Sequence, residues 1–240
     1  QYDKAIQIWQ DITQNKLQLA KAFENKGNCY YYEGDYNIAL AYHQEALKIR
    51  SEKFGLNHIL VARSYNNIAL CYFSMKQYSN ALHLYEKNEV IYLQNAEAYQ
   101  ANIARNQNNK ALCYEKMKEY ETAKRFFRKA IEITHKKQDK YSEIDKYYHN
   151  LASCFSKQKL YNEALTYYKK ALEISLLQLG SKHPSVAHRY NEIAQIYLKP
   201  EALDITLALT NYEKALFALV PESANHLLSV SEIVLEKKYS

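Results

Sequence analysis

Residues 58–85 read HILVARSYNNIALCYFSMKQYSNALHLY, and this stretch returns along most of the chain. Tyr78 and Ala81 within it belong to two columns: Tyr36, Tyr78, Tyr120 and Tyr161, and Ala39, Ala81, Ala123 and Ala164, each spaced 42, 42 and 41 residues apart. A fixed period in this range marks a solenoid, in which each unit buries its apolar face on the next instead of on one central core. Ala62, Tyr65, Ala69 and Tyr72 fall at helical spacing, and after a short break so do Ala81, Leu82 and Tyr85. One unit is therefore a pair of helices joined by a tight turn.

The first helix of the pair returns as Ala104, Ala111 and Tyr114 and as Ala187, Tyr190, Ala194 and Tyr197; the second returns as Ala123, Phe127 and Ala130 and as Ala164, Leu165, Tyr168 and Ala171. Small residues at Gly27, Ala69, Ala111, Ala152 and Ala194 let paired helices approach, and aromatic columns fill the space between them, which accounts for most of the 24 Tyr. With four Gly, three Pro and 48% hydrophobic residues in 240, the chain has few breakers and ample apolar surface, so the fold class is all-α. Lys and Arg exceed Asp and Glu by 32 to 26, an excess spread over the whole chain that permits an acidic partner without demanding one. No apolar run is long enough to span a membrane, and the first residues carry no apolar signal segment.

Tyr2 and Ala5 lie 34 residues before Tyr36 and Ala39, so the chain enters partway through a unit and is expected to be a fragment of a longer one. The expected organisation is a single solenoid over 1–240. Residues 1–15 form the second helix of a truncated repeat, repeats occupy 16–57, 58–97, 98–140, 141–182 and 183–220, and a capping helix covers 221–240. Cys29, Cys71, Cys113 and Cys154 are again 42, 42 and 41 apart, one per unit. Packed helices stand roughly 10 Å apart, too far for a disulfide or a shared metal. Each thiol is therefore read as small, buried and reduced, which points to a cytoplasmic setting.

The order of a small residue three before Tyr, then Tyr-x-x-Ala, then Ala-Leu resembles the tetratricopeptide repeat, whose period is 34 residues. The longer units resemble its kinesin light chain subtype: Gly55 and His58 followed by Val61-Ala62 and Asn66-Asn67, and Gly180, His183 and Pro184 followed by Val186-Ala187 and Asn191. The resemblance implies a right-handed superhelical solenoid of antiparallel helix pairs, about five repeats plus the terminal cap, with the first helices lining a concave groove. Gly leaves the preceding helix with φ > 0 and Pro184 opens the next; His183 reads as a structural hydrogen-bonder. Departures are visible. Lys26 and Lys110 stand where Ile68, Leu151 and Ile193 are apolar, so their stems are expected to snorkel outward. Eleven residues separate Tyr197 from Ala208, with Pro200 between them, so that turn should be irregular.

No nucleophile and base, carboxylate pair or phosphate loop stands out, and the histidines do not recur as metal-binding pairs. The chain is read as non-enzymatic, with no cofactor, metal or small-molecule substrate. On the first helices, one column reads Lys21, Arg63, Arg105, Lys146 and His188, and one turn on the next reads Asn25, Asn67, Asn109, Asn150 and Glu192, with Asn28 a further turn from Asn25. Asn offers a donor and an acceptor, as an extended peptide backbone requires, and the cations suit acidic side chains or a terminal carboxylate. These ten peptide-binding candidates are Lys21, Asn25, Asn28, Arg63, Asn67, Arg105, Asn109, Lys146, Asn150 and His188. The two-carboxylate clamp of chaperone-binding tetratricopeptide domains resembles Asn28, Asn67 and Arg105, although Glu24 and Asn109 stand where that clamp would have cations.

The leading expectation is a protein–protein interaction scaffold or adaptor that holds an acidic or amphipathic peptide at about micromolar affinity, near −8 kcal/mol, with a cytoskeletal or ciliary association. The alternative is a structural subunit that contacts a large assembly by its convex face and ends, with the Asn only bracing neighbouring repeats and the cations only solvated. Nucleic acid is a distant third, because the charge is modest and the Tyr are committed to packing.

Overall fold

The computed structural model describes residues 2–137 and 143–220, with side chains from 15 to 135 and from 143 onward. Among the described residues ten α-helices and one 3-10 helix follow one another, with no strand. The chain divides into two compact units, Gln1–Ile133 and Thr134–Ser240.

Unit 1 holds α1 (Tyr2–Glu33), α2 (Tyr36–Phe54), α3 (Ile59–Ser74), α4 (Tyr78–Leu93), α5 (Gln100–Lys116) and most of α6 (Tyr120–Lys137), and from α1 to α5 each helix packs on the next in sequence. Unit 2 repeats the plan with α7 (Ile144–Lys157), α8 (Tyr161–Leu179), α9 (Pro184–Tyr197) and α10 (Ile205–Leu219). Helix α1 runs unbroken past residue 15, so the junction expected between a truncated repeat and the first whole one is not a turn. The expected capping helix lies outside the described residues. Pro200 starts the 3-10 helix Pro200–Ala202, the irregular turn that the insertion predicts.

The turn inside the first four helix pairs is one device used four times. Gly34, Lys76, Lys118 and Lys159 all take positive φ, between 62° and 91°, and the following amide reaches back to the helix: Asp35 to the Tyr30 carbonyl at 2.9 Å, Gln77 to Tyr72 at 2.8 Å, Glu119 to Tyr114 at 2.9 Å and Leu160 to Phe155 at 3.1 Å. This is the Schellman stop, which satisfies the last helical carbonyls. Three of the four positions hold Lys where Gly would carry less strain. The linkers between pairs stop differently. Gly55 and Gly180 leave their helices at φ 75° and 76°, and His58 and His183 then cap the next helix, each Nδ1 accepting from the backbone amide two residues on, Leu60 at 3.2 Å and Ser185 at 3.1 Å. The imidazole does the work usually given to Ser or Asp.

In the core a large side chain on the second helix recurs as His43, Tyr85, Phe127 and Tyr168, all buried, and Gly27 and Ala69 of the small column lie against the first two. Tyr85 packs among Ala69, Ala81, Leu82 and Cys113. Gly27 is the smallest member of its column because a Cβ there would stand 2.7 Å from the His43 ring. A second cluster, Val61, Ala62, Tyr65, Ile91, Tyr92 and Ile103, joins α3, α4 and α5.

The thiol column departs from expectation at one end. Cys71, Cys113 and Cys154 are buried thiols outside any disulfide, but Cys29 is exposed. Cys113 packs against Ala81, Leu82 and Tyr85 of the helix before it; α1 has no preceding described helix to do the same for Cys29. Burial pushes the Cys71 thiol up to about 11 and the Cys113 thiol up to about 12. A thiol reagent added to the native chain is therefore expected to modify Cys29 alone, with Cys71, Cys113 and Cys154 reacting only on unfolding. Peptide mapping that found Cys71 or Cys113 modified as fast as Cys29 would contradict this packing.

Candidate functional site

Three of the columned residues come together in unit 1. Arg63 and Asn67 on α3 and Arg105 on α5 line one depression of about 370 Å³, together with Asn66, Asn102 and Asn106 and the apolar Ile59, Leu60 and Tyr92. Asn102 hydrogen-bonds the Tyr92 hydroxyl. Burial pushes that hydroxyl up, and the bond to Asn102 and the charge of Arg105 oppose the shift in part. Asn106 spends its amide nitrogen on the Tyr85 carbonyl at 2.8 Å, which braces α5 on α4. The depression thus offers amides and two guanidinium groups beside an apolar wall, a mixture able to bind a peptide by its backbone and its acidic side chains at once.

Beneath Arg63 lies a residue that the columns did not single out. Glu24 of α1 is only 2% exposed and gathers three partners: Arg50 of α2 on Oε2, and Arg63 Nε at 2.5 Å and Asn67 Nδ2 at 3.3 Å on Oε1, while Arg50 Nη1 also donates to Ser64 Oγ at 2.8 Å. Burial pushes the Glu24 carboxyl up, and the two guanidinium groups more than reverse this, so it titrates below the usual carboxylate range. One carboxylate therefore ties three helices together, and it neutralises much of the charge that Arg63 brings to the depression.

The same layer is wired differently in each place. In unit 2, Asp145 of α7 accepts from Ser175 Oγ at 3.0 Å and from Arg189 Nη2 at 3.1 Å. Ser175 and Arg189 occupy the repeat positions of Arg50 and Ser64, so Arg and Ser have changed helices while the acid has moved one turn along the first helix. Between α4 and α5, Glu89 takes Lys110 Nζ at 2.7 Å and Gln107 Nε2 at 2.7 Å, with Lys129 of α6 at 3.6 Å. Burial pushes the Glu89 carboxyl up, and these donors bring it below its ordinary value. Lys110 does not snorkel outward as expected. It is buried, with its ammonium on Glu89 and 5.0 Å from the Phe126 ring centre, because an acid and an aromatic face are within reach inside the stack. Lys26 does reach the surface, lying 4.7 Å over the Tyr42 ring.

Elsewhere the columns scatter chemically. Lys21 and Asn25 are exposed on α1, and Asn28 is half-buried. Asn109 accepts from Asn108 at 3.4 Å. In unit 2, Lys146 stands 3.9 Å from Glu143, Asn150 is half-buried, and His188 is 3.4 Å from Glu192. Charged residues inside otherwise apolar or amide columns, such as Lys110 and Glu24, were the sequence signal for these networks, but nothing in the sequence says which cation meets which acid.

Models of the tetratricopeptide repeat match residues 18–87 and 143–216, and a further one matches 104–136. The chain belongs to the tetratricopeptide repeat family. No curated protein sequence matches it. Among solved structures, this tetratricopeptide chain is similar in fold to kinesin light chain-like repeats from Podosopora anserina, at 18% identity over 85% of this chain and 95% of that one, TM-score 0.66. It is also similar to BtubC (BKLC) from P. vanneervenii, at 18% identity over 96% and 87%, TM-score 0.65. A third neighbour is the Rap conjugation gene regulator of plasmid pLS20 in complex with the Phr* peptide, at 18% identity, TM-score 0.64, where the match covers 79% of this chain and 50% of that one. The helix pairs and linkers of this chain are those of the tetratricopeptide fold, with kinesin light chain-like structures among the neighbours. No helix among the described residues is long and apolar enough to cross a membrane.

Proposed function

We propose that the chain is a non-catalytic interaction scaffold that binds an extended acidic or amphipathic segment of a protein partner, and that the α3–α5 depression of unit 1 is its principal contact. The observation that carries this is the convergence of Arg63, Arg105 and four Asn on one concavity beside Ile59, Leu60 and Tyr92. Backbone-reading amides at roughly 0.5–1.5 kcal/mol each and exposed cations at roughly 0.2–1 kcal/mol each sum to several kcal/mol before ordering costs, in keeping with micromolar binding. A Rap regulator of related fold holds a peptide, which supports the same use here. The buried thiols outside any disulfide suit a reducing cytoplasmic setting, and an adaptor role on cytoskeletal or ciliary assemblies fits the kinesin light chain-like repeats.

Arg105 is the residue to test, because reversing Arg63 would set a second carboxylate against buried Glu24 and confuse binding with folding. An array of short acidic and amphipathic peptides is probed with the chain, and the best binder is titrated by fluorescence anisotropy. Arg105→Glu is expected to weaken it at least tenfold, about 1.4 kcal/mol, while circular dichroism shows the variant still folded. Equal affinity in the variant would remove the depression as the site.

A further inference from the structure

In unit 2, Glu192 of α9 stands between two imidazoles. His149 of α7 brings Nδ1 to 2.8 Å from Glu192 Oε2, and His188, one turn before Glu192 on the same helix face, brings Nε2 to 3.4 Å from Oε1. One ligand atom from each residue lies within 4.8 Å of the other two. We propose that His149, His188 and Glu192 form a binding site for a divalent metal of the zinc class, joining α7 to α9.

Three observations carry this. Two imidazoles and one carboxylate are a donor set that suits zinc and its neighbours in the first transition row; calcium and magnesium call for oxygen alone. The spacing is near what one ion needs: ligand atoms about 2.0–2.2 Å from a tetrahedral metal stand roughly 3–3.5 Å apart, so the three here close on it with side-chain shifts of about an ångström. Finally, His149 Nδ1 is buried and makes no hydrogen bond in spite of its 2.8 Å approach to Oε2. A proton held between the two groups would lie along that line; a metal need not.

The surroundings are compatible. Arg189 lies 3.1 Å from Asp145 and 3.5 Å from Glu192 Oε2, which leaves it as an outer donor orienting the carboxylate. His149 and Glu192 are 19% and 17% exposed while His188 is 60% exposed, so the site opens to one side, where water or a partner's side chain completes the coordination. An ion there pins α7 on α9 and adds positive charge where the cation column thins to a histidine.

The test uses the tag-free 240-residue chain, stripped with a chelator and titrated with Zn²⁺ by calorimetry and with Co²⁺ by visible absorption. A single high-affinity equivalent and the d–d bands of tetrahedral cobalt are expected. His188→Ala alters an exposed side chain and should leave the circular dichroism intact; it is expected to weaken Zn²⁺ at least tenfold and to erase the cobalt bands, since losing even an outer partner of a metal ligand costs roughly 10–100-fold. Glu192→Gln should act likewise, while His83→Ala, an exposed histidine of unit 1, should change nothing. Zn²⁺ affinity unchanged in His188→Ala, or no binding at millimolar Zn²⁺, overturns the proposal.

Discussion

Glu24→Ala is expected to destabilise the chain by about 3–5 kcal/mol, the cost of leaving a buried charge without its partner. Arg50 is only 5% exposed, and with Glu24 gone its guanidinium keeps Ser64 alone; Arg63, already at the surface, is merely released into solvent. Urea unfolding followed by circular dichroism checks this, and a loss below about 1 kcal/mol would show that water reaches Arg50. The double variant Glu24→Leu with Arg50→Met should recover most of the loss, because well-packed apolar residues commonly replace a buried pair at little cost. The pH dependence follows from the sign of the shift. The folded carboxyl titrates below its unfolded value of about 4.3, so the stabilisation is fully present above that value and fades as pH falls through the lower, folded one. Wild type and Glu24→Ala should therefore converge in acid.

Tyr85→Ala is expected to cost about as much, roughly 3–5 kcal/mol, for a different reason. The ring is 1% exposed and fills the space between Ala69, Ala81, Leu82 and Cys113, and removing it leaves a cavity that three helices cannot close together. Burial pushes the Tyr85 hydroxyl well above its ordinary value. The same variant should expose the Cys113 thiol to native-state labelling, an independent readout of the cavity. A variant within about 1 kcal/mol of wild type would mean that this column is not what holds α3 to α5.

Column reading succeeded wherever a position is decided by its place in the repeat. Ala39, Ala81, Ala123 and Ala164 are all wholly buried, and the two Gly-x-x-His linkers stop and restart helices as expected. It failed where neighbours decide. Cys29 shares a column with three buried thiols and is exposed, because its burial depends on a helix packed before it. Hydrophobicity alone sends Lys110 to solvent, whereas Glu89 and Phe126 hold it inside. The positive column was legible as a column but not as a field, since Glu24 and Glu192 lie under or beside its members.

The period of Tyr, Ala and Cys, with the scarcity of Gly and Pro, was enough to dictate paired helices stacked in order, because local hydrophobic spacing alone selects the helix face that is buried. Which charges survive on the other face was decided only in three dimensions. Polar contacts such as Glu24 with Arg50 and Arg63, Asp145 with Arg189, or Glu192 with its two histidines join residues about 25 to 45 positions apart or a turn apart on one helix with equal ease. Coulomb energy depends on distance and burial, and neither is written along the chain.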